Sequence, residues 1–259
     1  MNKIIDHGNS FDWGKTSESY AKYRDIYPEK MYSEFYRLGY AHNGEKCLDI
    51  GTGTGVIPRF MHKYGGELYG IDIAENQVVK ASELSKGLDI KYSVGTAEKI
   101  PFENSFFNAV SAVQCWRYFD KEKAVPEIAR VLKDGGIFII AYMQWLPYDE
   151  PIVEKSLSLV KKYNPNWDCF GDRIEVKNST LELKGFKKKE FLEFDCDIPF
   201  TYESWNGRMR ACRGIEASLS KEEADSFSNE HLKMLKSMTN DKFTLKHQIA
   251  IFCFEKNGE

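Results

Sequence analysis

Residues 47–56 read CLDIGTGTGV, an apolar run that carries Asp49 and then breaks into glycines at alternate positions, Gly51, Gly53 and Gly55. Glycine permits left-handed backbone and lets a ligand press against bare main chain. The stretch therefore reads as a buried strand passing through a tight turn into a helix, and three ligands compete for the turn. A nucleoside triphosphate would want GxxxxGK[ST], which is missing here. A dinucleotide would want GxGxxG, but the sixth position counted from Gly51 is Val56. Asp49 at the strand end would repel a pyrophosphate and favour a cation. Two unit charges about 4 Å apart interact by about 4 kcal/mol at an effective dielectric of about 20. A ligand with an ammonium and a sulfonium, its own carboxylate turned to the backbone N–H groups, suits the stretch. A purely structural strand-to-helix turn is the alternative.

Outward from this turn, strands alternate with helices. The pattern predicts strands over 46–50, 68–73, 90–94, 108–113 and 137–143, with helices over 55–64, 75–85 and 120–132. Asp120 is an N-cap candidate, and Asp134-Gly135-Gly136 is read as closing the last helix. Repeated βαβ units imply a parallel sheet with ligands at the carboxyl ends of its strands. Asp72 ends the second strand about 20 residues past the turn, where an acid can accept both hydroxyls of a ribose, a feature that nicotinamide dinucleotide sites share; a solvated strand-end carboxylate is the alternative. The flanks predict helices over 17–24 and from Pro28, over 150–163, 201–215 and 220–236, and strands over 187–198 and 243–254. Ser220 and Glu223 form a capping box.

Composition bounds the function. The 259 residues are 42% apolar and 14% aromatic with a formal charge of -3, which suits one well-filled domain and offers no positive field for nucleic acid. No apolar run is long enough to span a bilayer, so no membrane role is expected. The N-terminus has no apolar core of a signal peptide, and the six cysteines form no CxxC, which predicts reduced thiols and a cytoplasmic location. The five histidines are scattered, so no metal site is expected.

Four motifs stand in register over residues 45–143: LDIGTGTG, GIDIAENQVVKA, GTAEKIPFENSFFNAV and EIARVLKDGGIFII. In these the chain resembles the class I S-adenosylmethionine-dependent methyltransferases of the small-molecule branch, near the ubiquinone/menaquinone, malonyl-carrier-protein and trans-aconitate types. The resemblance implies a Rossmann-like α/β fold. Its mostly parallel seven-stranded sheet has helices on both faces and an antiparallel last strand. It also implies a single domain over 1–259. Residues 1–44 form an N-terminal cap or lid, in which SESYAKYRDIYP is similar to the trans-aconitate lid. Residues 45–145 form the cofactor core, and 146–259 the carboxyl part, with a helical insertion at about 200–240 and the last strand at about 243–254.

The same resemblance implies S-adenosyl-L-methionine as cofactor. Asp49, Gly51, Gly53 and Gly55 would meet its methionine side, Asp72 its ribose and Ile73 its adenine. Thr96, Ala97 and Glu98 would face the adenine edge, and Gln114 would lie near the methionine part. Thr96 stands where the family usually has an aspartate, and ordinary turn chemistry is the other reading of Thr96 and Glu98.

The acceptor side is read more openly. Trp116 and Tyr118 follow the fourth strand as a candidate aromatic wall. Tyr20, Tyr23 and Arg24 share one helix face, either a lid or a face docked on the sheet. On a helix over 201–215, Tyr202, Trp205, Met209 and Cys212 form a stripe flanked by Arg208 and Arg213. Those arginines either clasp a substrate carboxylate or snorkel along a surface helix. The expected reaction is in-line methyl transfer to a small-molecule acceptor, with an anionic or carboxylate-bearing one suiting the arginines. No catalytic residue or general base is assigned, and the oligomeric state is not readable. Val113-Gln114-Cys115-Trp116 lacks the proline-bearing turn of base-amine methylating enzymes, which argues against nucleic acid. A cofactor-binding protein without turnover and a nicotinamide-dependent oxidoreductase are the competing functions.

Overall fold

The computed structural model describes residues 5–168, 171, 173–174 and 181–258. Residues 1–4 of the expected cap, Cys169 and most of 170–180 lie outside the described residues. The strands are β1 (Lys46–Ile50), β2 (Glu67–Asp72), β3 (Ile90–Val94), β4 (Phe107–Val113), β5 (Leu132–Trp145), β6 (Phe186–Thr201) and β7 (Lys242–Lys256). They form one sheet in the order β3-β2-β1-β4-β5-β7-β6. β1 to β5 pair in parallel, and β7 runs antiparallel between β5 and β6. This is the Rossmann-like arrangement implied by the motifs, with the last strand reversed. The helices are α1 (Ser17–Tyr23), α2 (Glu29–Arg37), α3 (Val56–Met61), α4 (Glu75–Leu84), α5 (Lys121–Val131), α6 (Pro151–Tyr163), α7 (Tyr202–Arg210) and α8 (Lys221–Met238).

The apolar run in β5 explains the two-layer core. Side chains alternate across a strand, so a run apolar at every position is buried on both faces. Ile137, Ile139, Ala141 and Met143 pack with Phe35, Ile57, Trp205 and Leu235 on one side. Phe138 and Ile140 pack with Leu48, Val110, Ile128 and Phe252 on the other. The chain winds outward from β1 to β3 on one side of the sheet and from β4 to β5 on the other. The carboxyl ends of β1 and β4 thus flank the switch point, where an open α/β sheet leaves a crevice. α1 packs against α4 and α7, which brings the N-terminal segment to that end of the sheet.

Two elements differ from the sequence reading. α5 stops at Val131, and Leu132 already pairs with Phe107 in β5. Asp134-Gly135-Gly136 therefore does not cap the helix. It lies in the bulge where the register jumps from Phe107–Leu132 to Ala109–Ile137, with Gly135 at φ 71°. The helix expected over 201–215 ends at Arg210. Arg213 therefore sits in the following turns and has no position on the helical stripe. The capping box of Ser220 and Glu223 is formed at the start of α8.

Candidate active site

β1 ends at Ile50, and the chain turns through Gly51, Gly53 and Gly55 with φ of 66°, 54° and 76°. Two contacts fasten this turn to the next strand. The Thr52 N–H donates to the Ile71 carbonyl at 3.0 Å, and the Gly53 N–H donates to Asp72 Oδ2 at 2.9 Å. Asp72 Oδ1 accepts the Ala74 N–H at 2.9 Å, so each carboxylate oxygen is held by backbone. Burial raises the Asp72 pKa, and the N–H groups of Ala74, Gly53 and Ile73 oppose that shift. A side chain at Gly53 would meet only Tyr20, 3.5 Å away, whereas one at Gly55 would stand 2.3 Å from the Tyr92 hydroxyl. Gly53 thus opens to the crevice, and Gly55 is closed off by packing.

Asp49 lies beneath the turn, 2% exposed, with Oδ1 2.7 Å from the Ser111 hydroxyl. Burial pushes its pKa up to about 7; the Ser111 hydrogen bond and the nearby Thr52 hydroxyl pull it down, and the Asp72 charge pushes it up.

At the end of β4, Gln114 takes left-handed backbone at φ 62°, an uncommon place for a residue with a side chain. Its N–H donates to the Ala141 carbonyl and its side-chain amide to the Met143 carbonyl at 2.6 Å, which ties the ends of β4 and β5 together. Cys115 donates its thiol to the Ile50 carbonyl at 3.0 Å, and burial pushes that thiol well above its usual pKa. It is a packing group rather than a thiolate. Glu98 accepts the Asp120 N–H at 2.9 Å.

These strand ends open into one cavity of about 730 Å³, within the range of small-molecule sites. Its polar lining is mixed. Asp72 and Glu98 bring acceptors to it, and Arg24 and Arg208 bring donors. Arg208 is 2% exposed and its Nε has no hydrogen-bond partner. Burial first, and then neighbouring Arg24, lower its pKa to about 9, so it remains charged at neutral pH. Trp13 and Tyr20 of the N-terminal segment and Tyr118 after β4 form edge-to-face pairs, Trp13 lying 5.8 Å from Tyr118 and 6.4 Å from Tyr20. Gln77 on α4 anchors this roof by donating to the Trp13 carbonyl at 2.9 Å.

Of the residues singled out in the sequence, Gly51, Gly53, Asp72, Ile73, Thr96, Ala97, Glu98 and Gln114 line the cavity. Tyr20, Arg24, Trp116, Tyr118, Arg208 and Arg213 line it as well. Asp49 and Gly55 are not in the lining. Tyr23 points elsewhere and donates its hydroxyl to Glu203 at 3.1 Å. Trp205 is fully buried in the core, and its Nε1 donates to the Ser156 hydroxyl at 3.0 Å. Arg213 reaches the cavity wall with its charge already matched. Its Nε lies 2.8 Å from Asp6 Oδ2 and its Nη2 2.5 Å from Asp168 Oδ1. Sequence reasoning passed over Trp13, Cys115 and Trp145, all in the lining. Cys115 and Trp145 follow or end core strands, a position that was a usable signal, whereas Trp13 had none.

The methyltransferase domain family matches residues 48–140, the segment that carries the turn, Asp72 and Gln114. An uncharacterised methyltransferase, YcgJ of Bacillus subtilis, is 28% identical over 204 residues, covering 73% of this chain and 76% of that protein. The demethylmenaquinone methyltransferase of Chlorobaculum parvum is 30% identical over 178 residues, covering 61% of this chain and 70% of that protein. The crystal structure of the Bacillus subtilis YcgJ protein superposes with a TM-score of 0.55 at 18% identity, over 90% of this chain and all of that one. No helix among the described residues is long and apolar enough to cross a membrane. With a shared fold, a shared domain and relatives matched over most of their length, the chain belongs to the class I S-adenosylmethionine-dependent methyltransferases, in their small-molecule branch.

Proposed function

We propose that the cavity holds S-adenosylmethionine and that the enzyme methylates a small molecule bearing an anionic group such as a carboxylate. One observation carries this reading: a single cavity brings together bare backbone at Gly53, the Asp72 carboxylate and the guanidinium groups of Arg24 and Arg208. The residues present fit the cofactor. A carboxylate offers about four lone-pair sites, so Asp72 can accept from Gly53 and Ala74 and still receive a ribose diol. Ile73 is 55% exposed at the strand mouth, an apolar surface suited to a purine. Thr96, Ala97 and Glu98 border the same end. The open backbone at Gly53 suits the methionine part, and Arg24, stacked 4.6 Å over Tyr20, offers positive charge beside that turn.

When bound, S-adenosylmethionine supplies the methyl group: the acceptor atom's electron pair forms the new bond to carbon while the sulfur–methyl pair returns to sulfur as a neutral thioether. The chain's own residues align and enclose. Trp13, Tyr20 and Tyr118 roof the cavity and displace water, while Gln114 holds the mouth of β4 rigid through its bonds to β5. Good alignment alone is worth up to about 7–11 kcal/mol. Among the described residues no histidine lines the cavity, and the Cys115 thiol is held protonated. An acceptor whose reacting atom needs no base from the protein suits this lining best.

Calorimetry with S-adenosylhomocysteine and with NAD, followed by transfer of labelled methyl to a small-molecule fraction, tests the reading. S-adenosylhomocysteine should bind, NAD should not, and label should enter a low-mass product. Tighter binding of NAD, or label confined to protein or nucleic acid, rejects it.

A further inference from the structure

Arg208 stands in an unusual electrostatic position. It lies on α7 with its guanidinium 5.7 Å from the Trp145 ring centre, and both residues line the cavity. The side chain is 98% buried, no ion pair reaches it among the described residues, and Nε has no hydrogen-bond partner. Its titratable neighbours are Arg24, Tyr20, Tyr27 and Cys212, together with His247 from β7, and none of them is a carboxylate. Burial keeps His247 neutral at physiological pH. The Trp145 indole Nε1 is also buried without a partner. Two buried donors, one of them charged, thus stand unsatisfied at the same wall. A buried charge without a counter-charge is costly, and a buried donor without an acceptor adds to that cost.

We infer that Arg208 is the anchor for the acceptor, receiving a carboxylate of the substrate as a buried ion pair beside Trp145. This rests on the cofactor reading above and deepens it, since it names the acceptor class and the residue that selects it. With Arg24 beside the glycine turn and the cofactor's own carboxylate there, Arg208 is the one buried positive charge that remains for the acceptor; Lys121, also in the lining, is exposed and stands over the Trp116 ring. A monoanion neutralises Arg208. A phosphate dianion would bury a surplus charge. The planar fork of guanidinium matches a carboxylate, and the neighbouring indoles of Trp145 and Trp167 give its carbon body an apolar wall.

The test uses the full chain saturated with S-adenosylhomocysteine and a probe panel of acetate, benzoate, benzamide and phenyl phosphate. Binding is read by thermal shift and by tryptophan fluorescence. Benzoate or acetate should bind while benzamide does not, and Arg208→Met should weaken the carboxylate by about tenfold or more. Arg208→Lys should keep part of the effect. S-adenosylhomocysteine affinity should stay within about twofold of wild type, because the anchor acts on the other ligand. Ligand-free Arg208→Met should melt higher than wild type, since an uncompensated charge has been removed. The inference is overturned if no carboxylate separates wild type from Arg208→Met, if phenyl phosphate is preferred over benzoate, or if ligand-free Arg208→Met melts lower. It is also overturned if Arg208→Met loses S-adenosylhomocysteine but keeps methylthioadenosine, which lacks the carboxylate. Wild type that fails to bind S-adenosylhomocysteine at all would instead reject the cofactor reading. The benzoate–benzamide comparison on wild type stands even where a variant fails to fold.

Discussion

The Gly53 N–H donates to Asp72 Oδ2 at 2.9 Å, so the turn after β1 and the acid ending β2 form one unit. Asp72 therefore shapes the turn as well as offering lone pairs to a ligand. Asp72→Asn keeps the size but turns one acceptor oxygen into a donor nitrogen, which cannot accept both a backbone N–H and a ribose hydroxyl. One charge-assisted bond is worth about 1.5–3 kcal/mol, so S-adenosylhomocysteine should bind roughly ten- to hundredfold more weakly. Asp72→Ala should lose more and also melt lower, because the Gly53 and Ala74 N–H groups lose their acceptor. A calorimetric dissociation constant unchanged in Asp72→Asn would remove the ribose role.

Gly53 and Gly55 of the turn should separate by substitution. Gly53→Ala places a methyl in ordinary contact with Tyr20, so its stability cost is the left-handed backbone alone, about 1–2 kcal/mol. Its main loss should be cofactor affinity, since the methyl enters the cavity. Gly55→Ala meets the Tyr92 hydroxyl at 2.3 Å and strains the backbone as well, so its main loss should be stability. Melting curves and titrations on the two variants should therefore rank in opposite order. The same ranking in both measurements would show that Gly53 is a packing residue too.

How much of this was legible follows the range of the interactions. The turn, Asp72 and Gln114 were readable because strand, turn and helix are set by neighbours within a few residues. The unbroken apolar run in β5 likewise announced two buried faces. The end of α7 was not readable. Arg213 leaves the helical path to meet Asp6, 207 positions earlier in the chain, and no local spacing encodes that. Trp205 and Arg208 show a finer limit. The stripe predicted which residues share a face, but whether that face met the cavity or the core depended on α6 and β7. Trp205 went to Ser156 in the core, and Arg208 went to the cavity.

Asp49 gives a pH signature with a definite sign. Its folded pKa of about 7 lies well above the ordinary value of 3.8. The folded state holds the proton more tightly, so this contribution to stability is full below about pH 4 and is lost as pH rises through about 7. Asp49→Asn keeps a neutral group there at every pH. The variant should gain melting temperature over ligand-free wild type as pH goes from 5 to 8. A cationic ligand reverses the preference by favouring the carboxylate. S-adenosylmethionine should therefore gain affinity relative to the uncharged thioether product as pH rises through about 7, and the gain should vanish in Asp49→Asn. Parallel pH profiles for wild type and variant would place Asp49 outside the field of the sulfonium.

Arg213 and Arg208 line the same cavity, yet their substitutions should act in opposite directions. Arg213 is 4% exposed and Asp6 2% exposed, and a second carboxylate, Asp168, joins them. Arg213 Nη1 also donates to the Tyr118 hydroxyl at 3.2 Å. A guanidinium held by two carboxylates has no charge left for a substrate. Arg213→Ala would leave Asp6 buried without its cation, and breaking such a pair costs about 3–5 kcal/mol. Asp6 belongs to the segment that continues into Phe11 and Trp13; both pack edge-on against Tyr118, and Trp13 roofs the cavity. Loss of the pair should therefore lower the melting temperature, expose the first residues to limited proteolysis and weaken cofactor binding through the loosened roof. Asp6→Asn should reproduce part of each effect, because it removes the other half of the same pair. If Arg213→Ala instead melts like wild type and only raises the KM of an acceptor, the ion pair is dispensable and Arg213 shares the substrate with Arg208.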